Sequence, residues 1–389
     1  MSSKVFYGSP RQAHMDAKES LPAKLDLILN ELHLRDRVKG ETVCLKLHLG
    51  NNIGYSVIHP VFVRKVVQAI KDGGGEPFVA DVTWDVEACE SRGYTPEVLG
   101  CPIYPSGGPN DSYFYEHEWA YKNMKSWKVA GMIQDASFLV NFAHVKGHPS
   151  CGFGAGVKNL ALGCMIGETR GHMHDVVHFD KYWFKENCPD KSVMQQIVDS
   201  CPFGAIVMDK YDPEELHLHT EPCNQCMRCQ AVAPAGSLKI DPVNTHSFME
   251  AMAISTAITM STFEKGKAIH LALATQMTPL CDCFGFTSMP ILNDAGIFGS
   301  DDLVALDTAV LDKIAPMKLI EENVITCLEV QHNGGHPFAQ LHGKFKDPYV
   351  ALRYAEKLGL GSSAYELVDV LPVEESALKP AAGFYVSAK

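Results

Sequence analysis

A short run of cysteines constrains this chain more than any other feature of its 389 residues. Cys223, Cys226 and Cys229 follow one another at C-x2-C-x2-C spacing. Bacterial iron–sulfur proteins use C-x2-C-x2-C-x3-C-P to hold a [4Fe–4S] cluster. Here Ala233 occupies the position of the fourth cysteine, and Pro234 follows it as in the pattern. The run therefore predicts a metal centre that takes one ligand from elsewhere in the chain.

Cys201, which precedes Pro202, is the predicted source of that ligand. In two-cluster ferredoxins the fourth cysteine of each motif ligates the cluster of the other motif. The ferredoxin spacing, applied upstream of Cys201, finds no cysteine at the three expected positions. The motif that ends at Cys201 has therefore lost its first three cysteines, and the motif that begins at Cys223 has lost its fourth. These paired losses remove one cluster and leave the other complete. We predict a half-degenerate ferredoxin-like segment whose single [4Fe–4S] cluster is held by Cys201, Cys223, Cys226 and Cys229.

Zinc is the alternative for cysteines at this spacing. Cys201 and the triplet together offer four thiolates, which is the number that a structural zinc site needs. The third cysteine at x2 spacing and the two prolines favour an iron–sulfur cluster over zinc.

The composition is that of an ordinary globular protein, with 46% hydrophobic and 21% charged residues. A formal net charge of −12 argues against a nucleic-acid partner, which would need a basic face. The sequence contains no apolar run long enough for a membrane span and no secretory signal. Thirteen cysteines without the spacing of a small disulfide framework indicate a reducing compartment, so we expect a cytoplasmic protein.

Outside the cysteine segment the chain alternates strand and helix patterns, as proteins with a parallel sheet do. Apolar runs predict buried strands at residues 41–48, 77–81, 137–142 and 267–274. Periodicity and prolines predict helices at residues 21–34, 60–70, 246–260, 301–315 and 347–358. The predicted fold is α/β, with a mainly parallel sheet, flanking helices and an inserted ferredoxin-like α+β subdomain.

The cysteine segment divides the predicted α/β domain in two. Residues 1–184 form its first part, residues 185–242 the inserted [4Fe–4S] subdomain, and residues 243–389 its second part. Residues 83–119, rich in Gly, Pro and aromatic residues, are predicted to be irregular, but the stretch is long for a structureless loop, so short helices or a functional lid are the alternative. Ser300 is the predicted N-cap of the helix that follows it. The C-terminal part carries no recognisable chemistry.

Polar side chains follow the predicted strands at the ends where open α/β sheets bind ligands. His144, Lys146 and His148 alternate, so an extended segment places them on one face. We predict that these three residues are catalytic, binding an anionic group or moving protons. The predicted substrate contacts are Lys46, His48, Asp81 and, after a glycine-rich loop, Lys158. The structural alternative is that all of them are solvated or fix loops.

A further pair of cysteines, Cys281 and Cys283, follows the strand predicted at residues 267–274. Two thiolates at C-x-C spacing can share a metal or a cluster, but they need further ligands. Cys164, with Cys151 as another choice, is the predicted third ligand of a second cluster that would keep one iron open to substrate. The alternative, given equal weight, is that Cys281 and Cys283 are ordinary thiols.

Four motifs of this chain are specific: Lys46-Leu-His-Leu-Gly50, His144-Val-Lys-Gly-His148, Cys281-Asp-Cys283 and the run from Asp294 to Asp307. They resemble a family of uncharacterised iron–sulfur centre proteins, which carry domain of unknown function 362. The resemblance extends over residues 5–314 and implies the fold and the cofactor more than a substrate. Family members commonly carry an inserted two-cluster segment, and this chain departs from them by keeping ligands for one cluster.

Together these patterns predict a cytosolic iron–sulfur oxidoreductase, in which the ferredoxin-like cluster relays electrons to an active site at the strand ends. That site is predicted to hold a small anionic substrate or the second cluster. The predicted partner is a redox protein of the ferredoxin or flavodoxin type. One open alternative is a non-catalytic carrier of electrons or clusters. Another is a redox-neutral lyase or isomerase that uses an open-iron cluster.

Overall fold

The computed structural model describes residues 2–178, 181–188, 190–220 and 222–373. Its strands are β1 (Ser3–Gly8), β2 (Thr42–Lys46), β3 (Glu76–Asp81), β4 (Ile103–Pro105), β5 (Phe114–Tyr121), β6 (Met124–Ala130), β7 (Phe138–His144), β8 (Lys146–His148), β9 (Gly152–Gly154), β10 (Ile206–Met208), β11 (Leu216–Leu218), β12 (Ala268–Ala274), β13 (Gly296–Ser300) and β14 (Tyr365–Asp369). Its α-helices are α1 (Leu21–Glu31), α2 (Leu34–Arg37), α3 (Pro60–Asp72), α4 (Thr83–Ala88), α5 (Pro96–Leu99), α6 (Gly131–Gln134), α7 (Gly156–Gly163), α8 (Gly167–Asp175), α9 (Lys191–Asp199), α10 (Arg228–Val232), α11 (Thr245–Ser261), α12 (Leu303–Ile314), α13 (Pro337–His342) and α14 (Val350–Lys357). None of these described helices is long and apolar enough to cross a membrane.

Eight strands form one mixed sheet in the order β14-β1-β13-β12-β7-β2-β3-β4. The run from β12 through β7, β2 and β3 to β4 is parallel, whereas β13 is antiparallel to both of its neighbours. Helices α1 and α3 pack on one face, and α7, α11 and α12 pack on the other. The predicted α/β fold with a mainly parallel sheet and flanking helices is confirmed.

The central strands are buried because their sequences are almost continuously apolar. Every residue of β7 and of β12 is buried, as expected for parallel strands that are covered by helices on both faces. Three of the strands end on a buried charged or polar residue, β2 at Lys46, β3 at Asp81 and β7 at His144. The parallel pairing brings these ends to the same edge of the sheet.

Residues 83–119 are more regular than a loop, and their short helices match the alternative that the sequence left open. They contain α4, α5, β4 and most of β5, which pairs with β6 in a separate antiparallel hairpin. The residues of β5 are exposed or half-buried, so this strand lacks the apolar run by which a buried strand is recognised. The helices α4 and α5 are too short for their periodicity to show in the sequence.

The N-cap of α12 is Asp302, and the prediction of Ser300 is wrong. The Asp302 side chain accepts a hydrogen bond of 2.9 Å from the backbone N–H of Ala305. Ser300 is the last residue of β13, and its hydroxyl donates to the carbonyl of Lys4 at 2.7 Å. Because β13 continues to pair through Ser300, the helix begins later than the sequence pattern indicates.

The cysteine-rich segment forms a small unit that contains α9, β10, β11 and α10. Strands β10 and β11 pair antiparallel, and a hydrophobic cluster of its own runs from Trp183 to Ile240. Cys223 and Cys229 belong to this cluster, so the cysteine motif is part of the core of the unit. Residues 185–242 remain its predicted limits.

Candidate functional site

A cavity of about 690 Å³ lies at the carboxyl edge of the parallel strands. The strand-end residues that line it are Lys46, His48, Asp81, Lys146, His148 and Lys158. The cysteine-rich unit contributes Leu218, His219, Thr220 and Pro222. A volume of this size is typical of small-molecule sites. The sheet edge and the cysteine-rich unit thus form one concave site.

Asp81 connects the ends of β2 and β3 through buried hydrogen bonds. Its Oδ1 accepts from Nζ of Lys46 at 2.8 Å, and its Oδ2 accepts from the backbone N–H of Leu49 at 2.7 Å. Burial alone would raise the pKa of Asp81, but the charge of Lys46 and the hydrogen bond with His48 lower it. Asp81 is therefore ionised, and it neutralises Lys46.

His48 lies between two carboxylates. Its Nδ1 is 3.0 Å from Oδ2 of Asp85 and 3.2 Å from Oδ2 of Asp81. Burial alone would lower the pKa of His48, but Asp85 and Asp81 raise it well above its ordinary value. Burial and the charge of Asp81 raise the pKa of Asp85 to about 6. The carboxylates hold Nδ1 as a donor, while Nε2 is 3.8 Å from Sγ of Cys281.

His144 does not line the cavity, although the sequence groups it with Lys146 and His148. Its Nδ1 is 3.0 Å from Oδ2 of Asp282, and its Nε2 is 2.9 Å from the carbonyl oxygen of Thr275. Nζ of Lys146 is also 3.0 Å from Oδ2 of Asp282. Burial would raise the pKa of Asp282, but Lys146 and His144 lower it. Both nitrogens of His144 are thus engaged, Nδ1 with a buried carboxylate and Nε2 with a backbone carbonyl.

His148 lines the cavity as a neutral imidazole. Burial and the charge of Lys158 lower the pKa of His148 to about 4. Its Nδ1 accepts a hydrogen bond of 3.2 Å from the backbone N–H of Ser150, so the ring hydrogen is on Nε2. A further side-chain hydrogen bond joins His148 to Cys281. His148 is therefore the one predicted catalytic histidine that faces both the cavity and a thiol.

Cys281 and Cys283 meet His48 at the floor of this region. One ligand atom from each of the three residues lies within 4.8 Å of the others, and His48 forms a second such group with Asp81 and Asp85. Nζ of Lys158 is 3.3 Å from Sγ of Cys281. Burial alone would raise the pKa of Cys281, but the hydrogen bond with Cys283 and the charge of Lys158 lower it well below the ordinary value. Cys281 is thus the thiolate of the pair.

The structure does not bring Cys164 into this group. Cys164 is fully buried, and the charges that act on its thiol are those of Lys46 and Asp81. Cys151 lies nearer to Cys281, but its Sγ donates to the carbonyl of Phe153 at 3.1 Å, and burial raises its pKa to about 12. The side chain that could complete a metal-binding group with Cys281 and Cys283 is therefore His48, which the sequence predicted as a substrate contact.

The four cysteines of the inserted unit line a separate small cavity of about 20 Å³, namely Cys201, Cys223, Cys226 and Cys229. Backbone N–H groups donate to two of the sulfurs, from Ala205 to Cys201 at 3.2 Å and from Gln225 to Cys223 at 3.3 Å. In the described part of the chain, no three of the four sulfurs lie within 4.8 Å of one another. The sulfurs thus surround a space wider than a single tetrahedral ion requires.

Two residues with a clear place in these sites were missed by the sequence analysis. Asp282 lies between the two cysteines of the C-x-C pair, and that position after a strand is a signal that could have identified it. Lys346 is 1% exposed, and its Nζ donates to Oδ1 of Asn224 at 2.8 Å, next to Cys223. Burial lowers the pKa of Lys346 to about 7. No sequence pattern marks Lys346.

Two known proteins resemble part of this chain. The thylakoid-associated protein sll1697 of Synechocystis sp. (strain ATCC 27184 / PCC 6803 / Kazusa) is 29% identical over 178 residues, which are 41% of this chain and 52% of that protein. The chain thus spans about half the length of this curated relative. The structure of the lactate racemase apoprotein from Thermoanaerobacterium thermosaccharolyticum aligns with 70% of this chain and 50% of its own, at 10% identity and a TM-score of 0.32. A TM-score of that size carries no argument about fold or function.

A family match covers most of the chain. Residues 43–312 match the family described as Domain of unknown function (DUF362). That range includes the strand-end residues, the four cysteines of the inserted unit and the C-x-C pair. The resemblance seen in the motifs is confirmed, and the chain belongs to the DUF362 family.

Proposed function

We propose that this protein is an iron–sulfur oxidoreductase, in which a [4Fe–4S] cluster on the inserted unit exchanges electrons with a reaction in the strand-end cavity. The observation that supports this proposal is the position of Leu218, which lines both the cavity of the four cysteines and the large cavity. Leu218 thus separates the cavity of the four cysteines from the large cavity. Electrons could pass between the two sites across this one side chain.

The donor set fits a cluster better than zinc. A single zinc ion holds four sulfurs at bonds of about 2.3 Å, which draws all of them close together. The sulfurs of Cys201, Cys223, Cys226 and Cys229 are more widely spread around their cavity. Hydrogen bonds from backbone N–H groups to cluster sulfurs tune the reduction potential, and Ala205 and Gln225 supply such bonds here. When bound, the cluster would supply single-electron chemistry.

The substrate that fits the cavity is a small molecule with an anionic group near Lys158. Three cavity cations have a carboxylate within ion-pairing distance: Lys46 pairs with Asp81, Lys146 with Asp282 and Arg170 with Asp111. Among the described residues, Lys158 has no carboxylate within 4 Å. Lys158 is therefore the described cavity cation without a carboxylate partner, and its Nζ instead donates to Sγ of Cys281 at 3.3 Å.

The side chains at the cavity divide into two roles. His148 is neutral and lines the cavity, so it can accept or return a proton in a redox step. His144 acts as a positioning residue, because it does not line the cavity but contacts Asp282, which pairs with Lys146. Of the three residues predicted to be catalytic, Lys146 and His148 keep that proposed role and His144 does not.

Cys226 is the exposed ligand of the proposed cluster. One edge of the cluster would therefore lie near the surface, where a redox protein of the ferredoxin or flavodoxin type could deliver electrons. The neighbouring ligands Cys223 and Cys229 are buried. Of these three cysteines, Cys226 is therefore the one that a partner can approach directly.

Iron and sulfide analysis of anaerobically purified protein tests the cluster. The wild type should contain about four irons and four acid-labile sulfides that belong to the inserted unit. Cys223→Ala should lose them, whereas Cys188→Ala, a buried cysteine of the same unit that does not line the cavity, should keep them. One zinc per chain bound by the four cysteines, with no sulfide, would overturn the proposal.

The same preparation separates an enzyme from a carrier. The reduced cluster should be reoxidised faster when fractions of small anionic metabolites are added, and Lys158→Gln should abolish that acceleration while cluster spectra stay unchanged. Reoxidation by partner proteins alone, equal in the wild type and Lys158→Gln, would instead identify a non-catalytic electron carrier.

A further inference from the structure

A second metal-binding group lies at the floor of the large cavity, apart from the four cysteines of the inserted unit. It consists of His48, Cys281 and Cys283. Tetrahedral geometry with metal–sulfur bonds of about 2.3 Å and metal–nitrogen bonds of about 2.0 Å keeps the nitrogen and a sulfur about 3.6 Å apart. Nε2 of His48 and Sγ of Cys281 are 3.8 Å apart. The group is thus already close to the arrangement that one ion requires.

The environment of His48 is typical of a metal-binding histidine. Such histidines donate their other ring N–H to a carboxylate, which fixes the tautomer and the orientation of the ring. Nδ1 of His48 lies 3.0 Å from Asp85 and 3.2 Å from Asp81. With Nδ1 held in this way, a metal ion that displaced the proton of Nε2 would bind the nitrogen that lies 3.8 Å from Sγ of Cys281.

Asp85 gives independent support, because its buried carboxylate lacks a well-aligned hydrogen-bond donor. Asp85 is 0% exposed, and neither carboxylate oxygen has a hydrogen-bond donor with good geometry among the described residues. The 3.0 Å contact with His48 fails as a hydrogen bond through its angle rather than its length. A small rotation of the His48 ring onto a metal ion would give the carboxylate its donor.

The charges around the sulfur of Cys281 suit a thiolate. Lys158 donates to Sγ of Cys281 at 3.3 Å, and His148 makes a hydrogen bond to the same thiol. Two thiolates also neutralise a divalent cation. Cys283 and His48 line the cavity, so an ion bound between them would face the space where a substrate would lie.

We infer that His48, Cys281 and Cys283 bind one divalent ion of the zinc class, with its fourth coordination position open to the cavity. Two cysteines and one histidine with an open position form a donor set of catalytic zinc sites. The ion would act as a Lewis acid on a carbonyl or carboxylate oxygen of the substrate. A four-iron cluster fits less well, because its ligands bind different irons and lie farther apart. This inference goes beyond the proposed function and does not require the [4Fe–4S] cluster.

Metal analysis of the wild type and of matched cysteine variants tests the site. Anaerobic protein should retain about one zinc per chain after dialysis, and Cys283→Ala should retain less than a tenth of it. Cys164→Ala, which removes the cysteine that the sequence predicted as a third ligand, should keep the zinc. Cys223→Ala should lose the iron but keep the zinc, so that failure of one centre is distinguished from failure of the other.

Cobalt substitution of the wild type gives a measurement that does not depend on the folding of a variant. One equivalent of Co²⁺ should produce a thiolate-to-cobalt charge-transfer band, and zinc should displace it. Three results would overturn the inference: no tight binding of either ion, about four irons and sulfides lost in Cys283→Ala, or equal zinc loss in Cys164→Ala and Cys283→Ala.

Discussion

At the scale of single residues, Asp85 shows how a buried carboxylate can serve a metal site without touching the metal. We predict that Asp85→Asn weakens zinc binding about 10-fold to 100-fold, because an amide holds the Nδ1–H of His48 less strongly than a carboxylate does. Competition with a chromophoric chelator measures this affinity. Asp175→Asn is the control, since Asp175 lines the same cavity and bonds Thr220 instead. Equal affinities of the two variants would contradict the role of Asp85.

The sequence identifies which residues gather at the site better than it identifies their roles. Lys46, His48 and Asp81 were predicted together because each comes at or after the end of a parallel strand, and the structure places all three around one cavity. Their roles depend on partners that no spacing reveals. Asp81 neutralises Lys46, and Asp85 reaches His48 from the helix α4, in a stretch predicted to be irregular.

At the scale of elements, β12 carries a buried polar residue in the middle of the sheet. His270 is 1% exposed, and its Nδ1 is 3.3 Å from Nδ2 of Asn141 on the neighbouring strand β7. Burial, together with the charge of Arg37, lowers the pKa of His270 to about 3. His270 is therefore neutral in the folded protein throughout the physiological range.

This burial predicts a loss of stability in mild acid. Below about pH 6.5 the unfolded chain binds a proton at His270 and the folded chain does not, so the free energy of unfolding falls as the pH decreases toward the folded pKa. At pH 5 the contribution of His270 should be about 2 kcal/mol. Urea unfolding at pH 7 and pH 5 should show that His270→Asn reduces the difference between the two pH values by about this amount.

An exposed histidine supplies the control for that prediction. His33 is exposed and adopts a left-handed backbone conformation, which asparagine also tolerates, so His33→Asn makes the same chemical change without altering the core. It should leave the pH dependence of the wild type unchanged. An unchanged pH dependence in His270→Asn as well would show that the folded protein can bind a proton at that position.

Long buried elements could be predicted from the sequence, and short or exposed ones could not. The strands β2, β3, β7 and β12 were all expected, because apolar runs are visible wherever a strand is covered on both faces. The hairpin of β5 and β6 was missed because the residues of β5 are exposed or half-buried, which removes the apolar signal of that strand.

At the scale of the whole molecule, the C-terminal part contacts the unit of the proposed cluster, although no recognisable chemistry is visible in its sequence. Lys346 bonds Asn224 across 122 positions of the chain. The carbonyl of Lys346 also packs so closely on Gly152 that a Cβ there would lie 2.5 Å from it, at a backbone φ of +76°. One buried residue thus links the inserted unit to the glycine-rich loop of the cavity. Such a link between distant segments has no local pattern from which it could be predicted.

The position of Lys346 predicts the potential of the proposed cluster. Its charge acts on the thiols of Cys223 and Cys226, two of the proposed ligands. A buried positive charge beside a cluster stabilises the reduced form, which carries one more negative charge than the oxidised form. Lys346→Met should therefore lower the midpoint potential by tens of millivolts, as measured in an anaerobic redox titration followed by electron paramagnetic resonance.

Two further variants separate the charge of Lys346 from its packing. Lys344→Met removes an exposed lysine of the same segment and should leave the potential unchanged. Lys346→Arg keeps the charge and should restore most of the shift, even if its larger side chain loosens the contact with Asn224. If Lys346→Met and Lys344→Met have the same potential at equal iron content, the buried lysine acts only as a packing link. The coupling between the C-terminal segment and the cluster would then be structural rather than electrostatic.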